Sequence, residues 1–503
     1  MQPDTPPLAD RRSAFFTLLV TEAAERAGFY GMEAILLLFM VQQLGMADMG
    51  ADLLVGAFAA MIYATPLLGG WLGDRVYGAR RTVVLGAILL SAGYGLLALS
   101  TVYRTLFEPA LALAATGNGL FKPNAAQLIR CLYEEHPQER DSAFTLYYMA
   151  ANVGSALSML CIPLVRDYAG SFTAFGLCVA GPACALGVLL ARTHALRYTG
   201  SAPDKAPLLP RPAIGGATAI FLCTLAVMGV LSSASFARLA VFGCLALVAI
   251  LWGALYRKAA ARERLNLVTM GIMLLQSIAF YCFYQQMQTS LTLFALTNVD
   301  GTFRILGHPL FALSAAQFQA LDPIFIILLS PLLAKLYHAL ASRNRDLSLP
   351  TKFAVGFGFV ALAFFIWWSG TRLAGSGLTS AWPMLGDYFA LATAELLIGG
   401  LGLAVIARYA PARLNGLMVG AYYLTVGAGM YLGSEIASFA TPAANAAPLQ
   451  NHHYETLFGT LGLCGLGLVS IALLLARMLS HMENRHQDAA QRFSVRANTD
   501  CSA

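Results

Sequence analysis

Four ionisable side chains interrupt an apolar stretch at residues 15–44: Glu22, Glu25, Arg26 and Glu33. Charges inside a run long enough to cross a bilayer cost roughly 2.5–3.5 kcal/mol each on insertion scales. At about 100° per residue, Glu22, Arg26 and Glu33 fall on one face of a helix. We expect this face to line a polar cavity, with the carboxylates as candidate proton carriers. The alternative is a helix-end salt bridge that only joins two spans.

Further ionisable side chains stand alone in later apolar runs. Lys122 lies next to Pro123 and needs an anion within reach, unless its ammonium group extends to the membrane surface. Asp322 and Glu395 lie in the second half of the chain, and Asp322 could instead cap a helix N-terminus. Because every histidine falls in a loop or near the end of an apolar run, desolvated carboxylates are the expected carriers of protons.

The composition predicts an all-α membrane protein. Of 503 residues, 58% are hydrophobic and only 12% are charged, which excludes a soluble globular protein. The net charge of +6 comes from basic residues that cluster in alternate loops, as the positive-inside rule requires. This pattern predicts that both termini are cytoplasmic and gives no reason to expect nucleic-acid binding. The nine scattered cysteines indicate no disulfide framework.

The apolar runs are arranged as six, two and six, which predicts 14 spans and a two-half transporter with a site between its halves. The predicted spans are 14–44, 51–74, 81–102, 106–130, 142–165, 170–191, 213–232, 236–257, 266–297, 314–340, 351–370, 381–408, 413–440 and 454–481. The predicted parts are therefore an N-terminal bundle (1–192), a linker with two extra helices (193–265), a C-terminal bundle (266–482) and a polar tail (483–503). We expect the tail to be disordered and to lie in the cytoplasm.

The loop at residues 70–81 resembles the loop signature of the major facilitator superfamily. It combines an acid, Asp74, with a glycine turn and arginines that can cap a neighbouring helix. The resemblance implies the superfamily fold, with two six-helix bundles. It also implies that Asp74 and Arg75 act in gating, while the alternative is a simple topological anchor.

Three further motifs are similar to those of the proton-dependent oligopeptide transporters. They are the Glu22-x-x-Glu25-Arg26 helix, the fourth-span motif at 117–124, and the fifth-span residues 140–144 with 152–155. The resemblance extends from the first span to the last, and the extra helix pair is similar to that of bacterial members. A bacterial inner-membrane protein is therefore expected.

The resemblance implies a site for a small zwitterion. Arg26 and Lys122 would bind the carboxylate of a peptide and Glu395 its amino terminus. The other residues implied to line the substrate site are Tyr30, Tyr63, Tyr148, Asn152, Gln285 and Tyr422. The implied proton-coupling residues are Glu22, Glu25, Glu33 and Asp322.

Four of these positions differ from the family pattern. Gln285 stands where many members have glutamate, and Glu33 where they have a basic residue. Tyr422 stands where tryptophan is common, and Asp322 where the family often has asparagine. The usual span-seven glutamate therefore cannot carry the proton here.

The function implied is symport of di- and tripeptides with protons by alternating access, with protons as the coupling ion and no other cofactor. A carrier of nitrate or of another small anionic or drug-like solute is the alternative, because one fold serves many substrates. A membrane enzyme is disfavoured, since the sequence has no H-E-x-x-H or G-x-S-x-G motif and no Cys/His cluster. A channel fits less well than a binding cycle, because charges at both ends of a zwitterion favour binding.

Overall fold

The computed structural model describes residues 8–197, 199–343, 347–410, 414–440 and 451–500. Within these residues, ten helices are long and apolar enough to cross a membrane. One of them, Gln138–Ala191, has 54 residues and would be about 80 Å long if straight, which is enough for two crossings. Its backbone turns at Gly170, where φ is 80°, a value that glycine adopts without strain. The all-α membrane class is therefore confirmed, while the number of 14 spans stays a prediction.

The N-terminal half is built from six helices, of which α6 contains two predicted spans. They are α1 (Leu8–Gln42), α2 (Asp48–Ala64), α3 (Pro66–Arg75), α4 (Ala79–Ser100), α5 (Phe107–Leu132) and α6 (Pro137–Ala191). The linker carries α7 (Pro210–Leu231) and α8 (Ala234–Lys258). Pro66 separates α2 from α3 because a proline within a helix removes one backbone hydrogen bond.

The C-terminal half contains eight helical segments, because two of its predicted spans are interrupted. The segments are α9 (Ala261–Tyr284), α10 (Ser290–Asn298), α11 (Leu321–Ala341), α12 (Leu349–Ala374), α13 (Trp382–Leu397), α14 (Gly402–Tyr409), α15 (Asn415–Ala440) and α16 (Asn451–Asp500). One interruption lies between α9 and α10, where Thr289 has φ −119° and ψ −100°. The other lies at 398–401, just after Glu395. Interrupted helices of this kind form the binding sites of many transporters.

Four short strands, which the sequence does not predict, lie between or beside these helices. They are β1 (Val299–Asp300), β2 (Thr302–Ile305), β3 (His308–Ala312) and β4 (Thr379–Ser380). β2 and β3 pair antiparallel, and β1 pairs with β4 in parallel. The hairpin turn consists of Leu306 and Gly307, both with positive φ, the backbone typical of a two-residue hairpin.

Two hydrophobic cores correspond to the two halves. The first is built mainly from residues 14–241 and includes Phe39, Tyr94 and Phe175. The second is built mainly from residues 259–472 and includes Phe294 and Trp367. The linker helices contribute to the first core, although the sequence predicts only an insertion between the two bundles.

The two halves meet at the end of the molecule opposite the start of α1. There Ala34, Met159 and Ala320, from α1, α6 and the turn before α11, form a small apolar cluster. Gln317 Nε2 also donates a hydrogen bond to the carbonyl oxygen of Leu160 over 3.0 Å. We call this the closed end.

The other end is open between the halves. Arg11 at the start of α1 forms an ion pair with Glu139 at the start of α6, so both helices begin there. Along α6, the exposed fraction falls from 42% at Tyr148 to 8% at Asn152 and 3% at Ser155. Access to the interior is therefore from the end where α1 and α6 begin, which we call the open end.

The predicted disorder of the tail is wrong. The backbone continues as helix α16 up to Asp500. The polar sequence after Glu483 is rich in alanine, glutamine and arginine, which favour a helix even without an apolar face to pack.

Candidate functional site

A first cavity contains the two cations that the sequence analysis places at the substrate carboxylate. Arg26 and Lys122 both line it, with Glu33, Tyr30 and Tyr63. It encloses about 430 Å³ including its mouth. The remaining residues of its wall are Phe29, Ala59, Ile62, Tyr284, Gln288 and Met430. Five predicted site residues, from three helices, therefore surround one space.

The guanidinium group of Arg26 is paired with carboxylates at Nε, while its Nη2 faces no acceptor among the described residues. Its Nε lies 2.5 Å from Glu25 Oε2 and 3.6 Å from Glu22 Oε1. Its Nη2 is buried and has no hydrogen-bond partner among the described residues. The rings of Phe29 and Tyr30 lie 5.0 and 6.0 Å from Arg26 Cζ. A buried donor without an acceptor is costly, so this nitrogen is suited to an anionic ligand.

Lys122 has no carboxylate within ion-pair distance in the part of the chain that the structure describes. Its Nζ lies 5.4 Å from the centre of the Tyr63 ring, a distance at which the ring face attracts a cation. Pro123 follows it within α5. The ammonium group therefore remains available to a ligand carboxylate.

A second cavity contains acids instead of cations. Glu395 and Asp322 line it together with Tyr30, Tyr148 and Asn152, so four further predicted positions share this space with Tyr30. It encloses about 550 Å³ including its mouth. The other residues of its wall are Ala151, Ser155, Met159, Tyr284, Met287, Gln288, Gln319, Pro323, Ile326 and Tyr388.

Two tyrosines hold the acids of the second cavity. Tyr148 donates a hydrogen bond to Glu395 Oε1 over 3.4 Å, and Tyr284 donates one to Asp322 Oδ2 over 3.3 Å. The remaining oxygens, Glu395 Oε2 and Asp322 Oδ1, are buried without a partner among the described residues. The two acids are close enough to repel each other when both are ionised. Asp322 thus faces the cavity rather than capping a backbone N–H.

The two cavities share part of their walls. Tyr30, Tyr284 and Gln288 line both of them. The spaces therefore adjoin, with Arg26, Lys122 and the acid Glu33 on one side and Glu395 and Asp322 on the other. Tyr284 and Gln288 are missing from the predicted site, although both are polar residues in an apolar span.

The first-span acids divide into two groups. Glu22 and Glu25 lie behind Arg26, and Glu22 also accepts a hydrogen bond from Tyr147. Glu33 lines the first cavity, and its Oε2 is buried without a hydrogen-bond partner in the described chain. All three can therefore respond to a ligand on Arg26, directly or through the cavity.

Two predicted substrate residues lie outside both cavity walls. Gln285 is fully buried, and its side chain packs beside Gly433 of α15. On a regular helix Tyr281, Gln285 and Gln288 would lie on one face. Here the helix tightens at 285–287 and breaks at Thr289, so these three side chains do not line the same space. Gln288, not Gln285, therefore turns into the cavities.

Tyr422 lies behind the wall rather than in it. Its hydroxyl group is 3.5 Å from that of Tyr281 and donates to the carbonyl oxygen of Gly399 over 3.3 Å. Gly399 belongs to the interruption that follows Glu395. Tyr422 therefore supports the segment next to the acid instead of lining the two cavities.

Asp74 and Arg75 are exposed at the open end, at the end of α3. The start of α4, which follows this loop, is fixed by hydrogen bonds to two side chains of the linker. Ser201 Oγ accepts from the backbone N–H of Ala79 over 3.0 Å, and Asp204 Oδ2 accepts from that of Arg80 over 3.1 Å. These linker side chains thus cap the start of α4.

The loop and the linker also pack closely. A Cβ atom at Gly78, where φ is 89°, would overlap the Asp204 carboxyl group. Arg81 donates to the carbonyl oxygens of Pro203 and Ala206 over 3.2 and 3.1 Å. We call residues 201–206 the linker strap. The gating role predicted for Asp74 and Arg75 stays a prediction.

No three side chains of His, Cys, Asp and Glu are grouped as a metal site would require, within the residues that the structure describes. The charged groups that line the two cavities can bind protons and form ion pairs with a ligand.

A family model described as the POT family (PTR2) matches residues 80–454. Among characterised proteins, the chain is similar to the dipeptide and tripeptide permease B of Yersinia enterocolitica, with 36% identity over 500 residues. The match covers 96% of this chain and 98% of that relative. The permease of the same name from Salmonella typhimurium is also 36% identical, over 93% of this chain and 96% of its own.

Solved structures give the same picture. The chain is similar to tetrameric PepTSo2, with a TM-score of 0.85, 38% identity, and coverage of 94% of this chain and 99% of that one. It is also similar to a peptide transporter POT in complex with sulfate, with a TM-score of 0.80, 27% identity, and coverage of 93% and 94%. The fold expected from the sequence, that of the major facilitator superfamily, is confirmed.

Proposed function

Because this chain belongs to the POT family of peptide transporters, we propose that it imports di- and tripeptides together with protons. Transport proceeds by alternating access between the two halves. The protein lies in a bacterial inner membrane, with both termini in the cytoplasm, as the distribution of its basic loops predicts.

The observation that carries this proposal is the placement of opposite charges in two adjoining cavities. Arg26 Nη2 and Lys122 face the first cavity, and among the described residues neither forms an ion pair with Glu33, the acid on the same wall. Glu395 and Asp322 face the second. A molecule with one anionic end and one cationic end satisfies both sets of groups at once. An inorganic anion such as nitrate would satisfy only the first.

The length of the ligand follows from the same arrangement. An extended dipeptide spans at most about 7 Å and a tripeptide about 10 Å. Peptides of this length can reach from one cavity to the other past Tyr30, Tyr284 and Gln288. The peptide backbone can then form hydrogen bonds with the hydroxyl and amide groups of this shared wall. These bonds do not depend on the side chains of the peptide.

Proton coupling uses the acids on Arg26. When Glu22 or Glu25 is ionised, the guanidinium group is paired inside the protein. Protonation of either glutamate weakens that pair and frees Arg26 for the carboxylate of the peptide. The ligand then joins Arg26 and Lys122 in the N-terminal half to Glu395 in the C-terminal half, which favours closure of the open end.

The conformation described here corresponds to the inward-facing state of this cycle. The halves meet at the closed end, and the cavities open toward the end where α1 and α6 begin. With cytoplasmic termini, the open end faces the cytoplasm. Release of the peptide and of the proton into the cell follows from this state.

Uptake of labelled dialanine by proteoliposomes, with and without an inward proton gradient, tests the proposal. We expect uptake only with the gradient, and competition by unlabelled dipeptides but not by nitrate. Lys122→Gln and Glu395→Gln should each reduce driven uptake to background, because each removes a charge that binds one end of the zwitterion.

Arg104→Gln is the matched control, since it removes a positive charge from an exposed loop next to α5. It should transport at the rate of the unmodified protein. Uptake that persists in the Lys122 or Glu395 variant, or competition by nitrate alone, would contradict the proposal.

A further inference from the structure

A third cavity lies at the open end, apart from the two substrate cavities. Its walls come from the start of α4, the end of α6 with the turns after it, the linker strap and the start of α7. It encloses about 1100 Å³ including its mouth. It shares no wall residue with either substrate cavity, so transport of a peptide does not account for it.

Most of the surface that lines the third cavity is apolar. Val84 and Leu85 line it from α4, and Leu189 lines it from α6. Leu208, which precedes α7, also lines it and is exposed. Ile88 is exposed one turn further along α4, so the apolar surface continues beyond the cavity. Such a surface is unfavourable in water and is suited to hydrocarbon chains.

The polar part of the wall carries a positive charge that no acid neutralises. Arg81 donates hydrogen bonds to the carbonyl oxygens of Tyr77, Pro203 and Ala206 over 3.3, 3.2 and 3.1 Å. In the part of the chain that the structure describes, no carboxylate lies within ion-pair distance of Arg81. Carbonyl oxygens are neutral acceptors, so they hold the guanidinium group in place and leave its charge available to an anion.

The other arginine of the wall already has an acid beside it. Arg80 Nε lies 3.9 Å from Asp204 Oδ1. The second oxygen of this carboxyl group, Oδ2, accepts from the backbone N–H groups of Arg80 and Ser201. Because Arg80 and Asp204 offset each other, the wall keeps the positive charge of Arg81.

The segments that form the cavity also carry exposed basic residues. Arg192 follows α6, Lys205 lies in the linker strap, and Arg211 lies in the first turn of α7. With cytoplasmic termini, this end of the molecule lies at the cytoplasmic surface of the membrane. Basic pockets between membrane helices at that surface attract anionic lipid headgroups.

From this combination of an apolar cavity and a positive rim we infer that the third cavity binds an anionic phospholipid of the cytoplasmic leaflet. The phosphate group of the lipid lies against Arg81, and its acyl chains lie along Val84 and Leu85 toward Ile88. The lipid contacts α4, α6 and the linker at once, so it stabilises the attachment of the linker to the N-terminal half. The inference uses the cytoplasmic orientation of the open end and does not depend on the transported solute.

Native mass spectrometry of the delipidated protein tests the inference, with phosphatidylglycerol and phosphatidylcholine of the same acyl chains added in turn. Only phosphatidylglycerol has a net negative charge, and we expect the protein to bind it about 10-fold more tightly. Phosphatidylglycerol should also raise the temperature of unfolding. Inorganic phosphate should not displace it, because the acyl chains contribute to binding.

Two variants test the two parts of the cavity. Arg81→Gln removes the charge and should lower the affinity for phosphatidylglycerol to that for phosphatidylcholine. Arg81→Lys keeps the charge and should still prefer phosphatidylglycerol, so a loss that comes only from the missing carbonyl contacts is recognised. Val84→Phe fills the apolar part without removing a hydrogen bond of the strap, and it should weaken the binding of both lipids.

Arg257→Gln is the matched control. Arg257 is exposed in the last turn of α8, at the same end of the molecule but outside the wall of the third cavity. This variant should bind both lipids as the unmodified protein does.

Four results would overturn the inference. They are equal binding of the two lipids by the unmodified protein, unchanged binding of phosphatidylglycerol in Arg81→Gln or Val84→Phe, the same loss in Arg257→Gln as in Arg81→Gln, and displacement of the lipid by inorganic phosphate. The last result would indicate a site for a free anion instead. None of these measurements involves transport, so they remain valid whether or not the proposed function holds.

Discussion

At the scale of single residues, the site depends on polar atoms that are buried and lack a partner. Arg26 Nη2, Glu33 Oε2 and Glu395 Oε2 each lack a hydrogen bond within the described chain. Proteins rarely leave such atoms unpaired, and all three belong to residues that line a cavity. A ligand that forms hydrogen bonds with these atoms binds more tightly, because the cost of removing water from them is already met when the protein folds.

The variant Arg26→Lys tests whether the planar fork matters, and not only its charge. Lysine cannot keep the contact of Nε with Glu25 and also present a second donor to the ligand. Losing one charge-assisted hydrogen bond costs about 1.5–3 kcal/mol, so the apparent affinity for dialanine should fall roughly 10- to 100-fold. Competition binding on the purified protein measures this. Arg130 is exposed on α5, and the control variant Arg130→Lys should bind dialanine as tightly as the unmodified protein. Unchanged affinity in Arg26→Lys would show that the positive charge alone is sufficient.

The sequence identifies the ionic part of the site well, for a physical reason. Charges such as Arg26, Lys122 and Glu395 are so costly in an apolar span that their presence alone marks a polar cavity. Neutral polar residues carry no such signal. Gln285 and Gln288 look equivalent on a regular helix, and only the break at Thr289 decides which one faces the substrate.

At the scale of elements, the two interrupted spans and the linker strap shape the molecule. The α9–α10 break and the α13–α14 break both lie beside the second cavity. The strap holds the start of α4 through Ser201 and Asp204. The periodicity of the sequence does not predict the strap, because its contacts join residues more than 120 positions apart. It does not predict the hairpin at 302–312 either, because these strands are too short to show a regular alternation of polar and apolar residues.

The variant Asp204→Ala tests the strap. It removes the acceptor for the backbone N–H groups of Arg80 and Ser201, and loss of a helix cap costs about 1–2 kcal/mol. We expect the purified protein to unfold at a lower temperature, measured by intrinsic fluorescence in detergent.

Asp10→Ala is the matched control for the strap variant. It removes an acid whose partner, Arg197, is largely exposed on the same side of the molecule, where ion pairs contribute little. An equal loss of thermal stability in both variants would mean that the strap has no special role.

At the scale of the whole molecule, the two halves touch at the closed end and along α2 and α15, while the interior is reached from the open end. Tyr148 on α6 is 42% exposed, whereas Ala320 in the closing cluster is fully buried. The two-core plan follows from the six-two-six pattern of the sequence. The conformation does not, because the apolar pattern of each span predicts the packing within a half and not how the two halves are tilted against each other.

Labelling of single cysteines tests which end is open. In a protein without its native cysteines, Tyr148→Cys should react with a membrane-impermeant thiol reagent applied from the cytoplasmic side, and Ala320→Cys should not react from either side. Tyr168→Cys, at an 89% exposed position between the two spans of α6, is the control and should react only from the opposite side. If the thiol reagent labels Ala320→Cys and does not label Tyr148→Cys, the resting state is outward-facing.

The attachment of the two linker helices has a mechanical consequence. At the open end, α7 is fastened to one half through Tyr77, whose hydroxyl group donates to the carbonyl oxygen of Ala213 over 2.7 Å. There, α8 is fastened to the other half, since Trp252 Nε1 donates to the carbonyl oxygen of Leu267 over 3.3 Å. The two helices are connected by the short turn at 232–233 near the closed end. If the halves close at the open end during transport, the distance between the attached ends of α7 and α8 changes with them. A disulfide bond between these two ends should then block peptide uptake without altering the residues of either cavity.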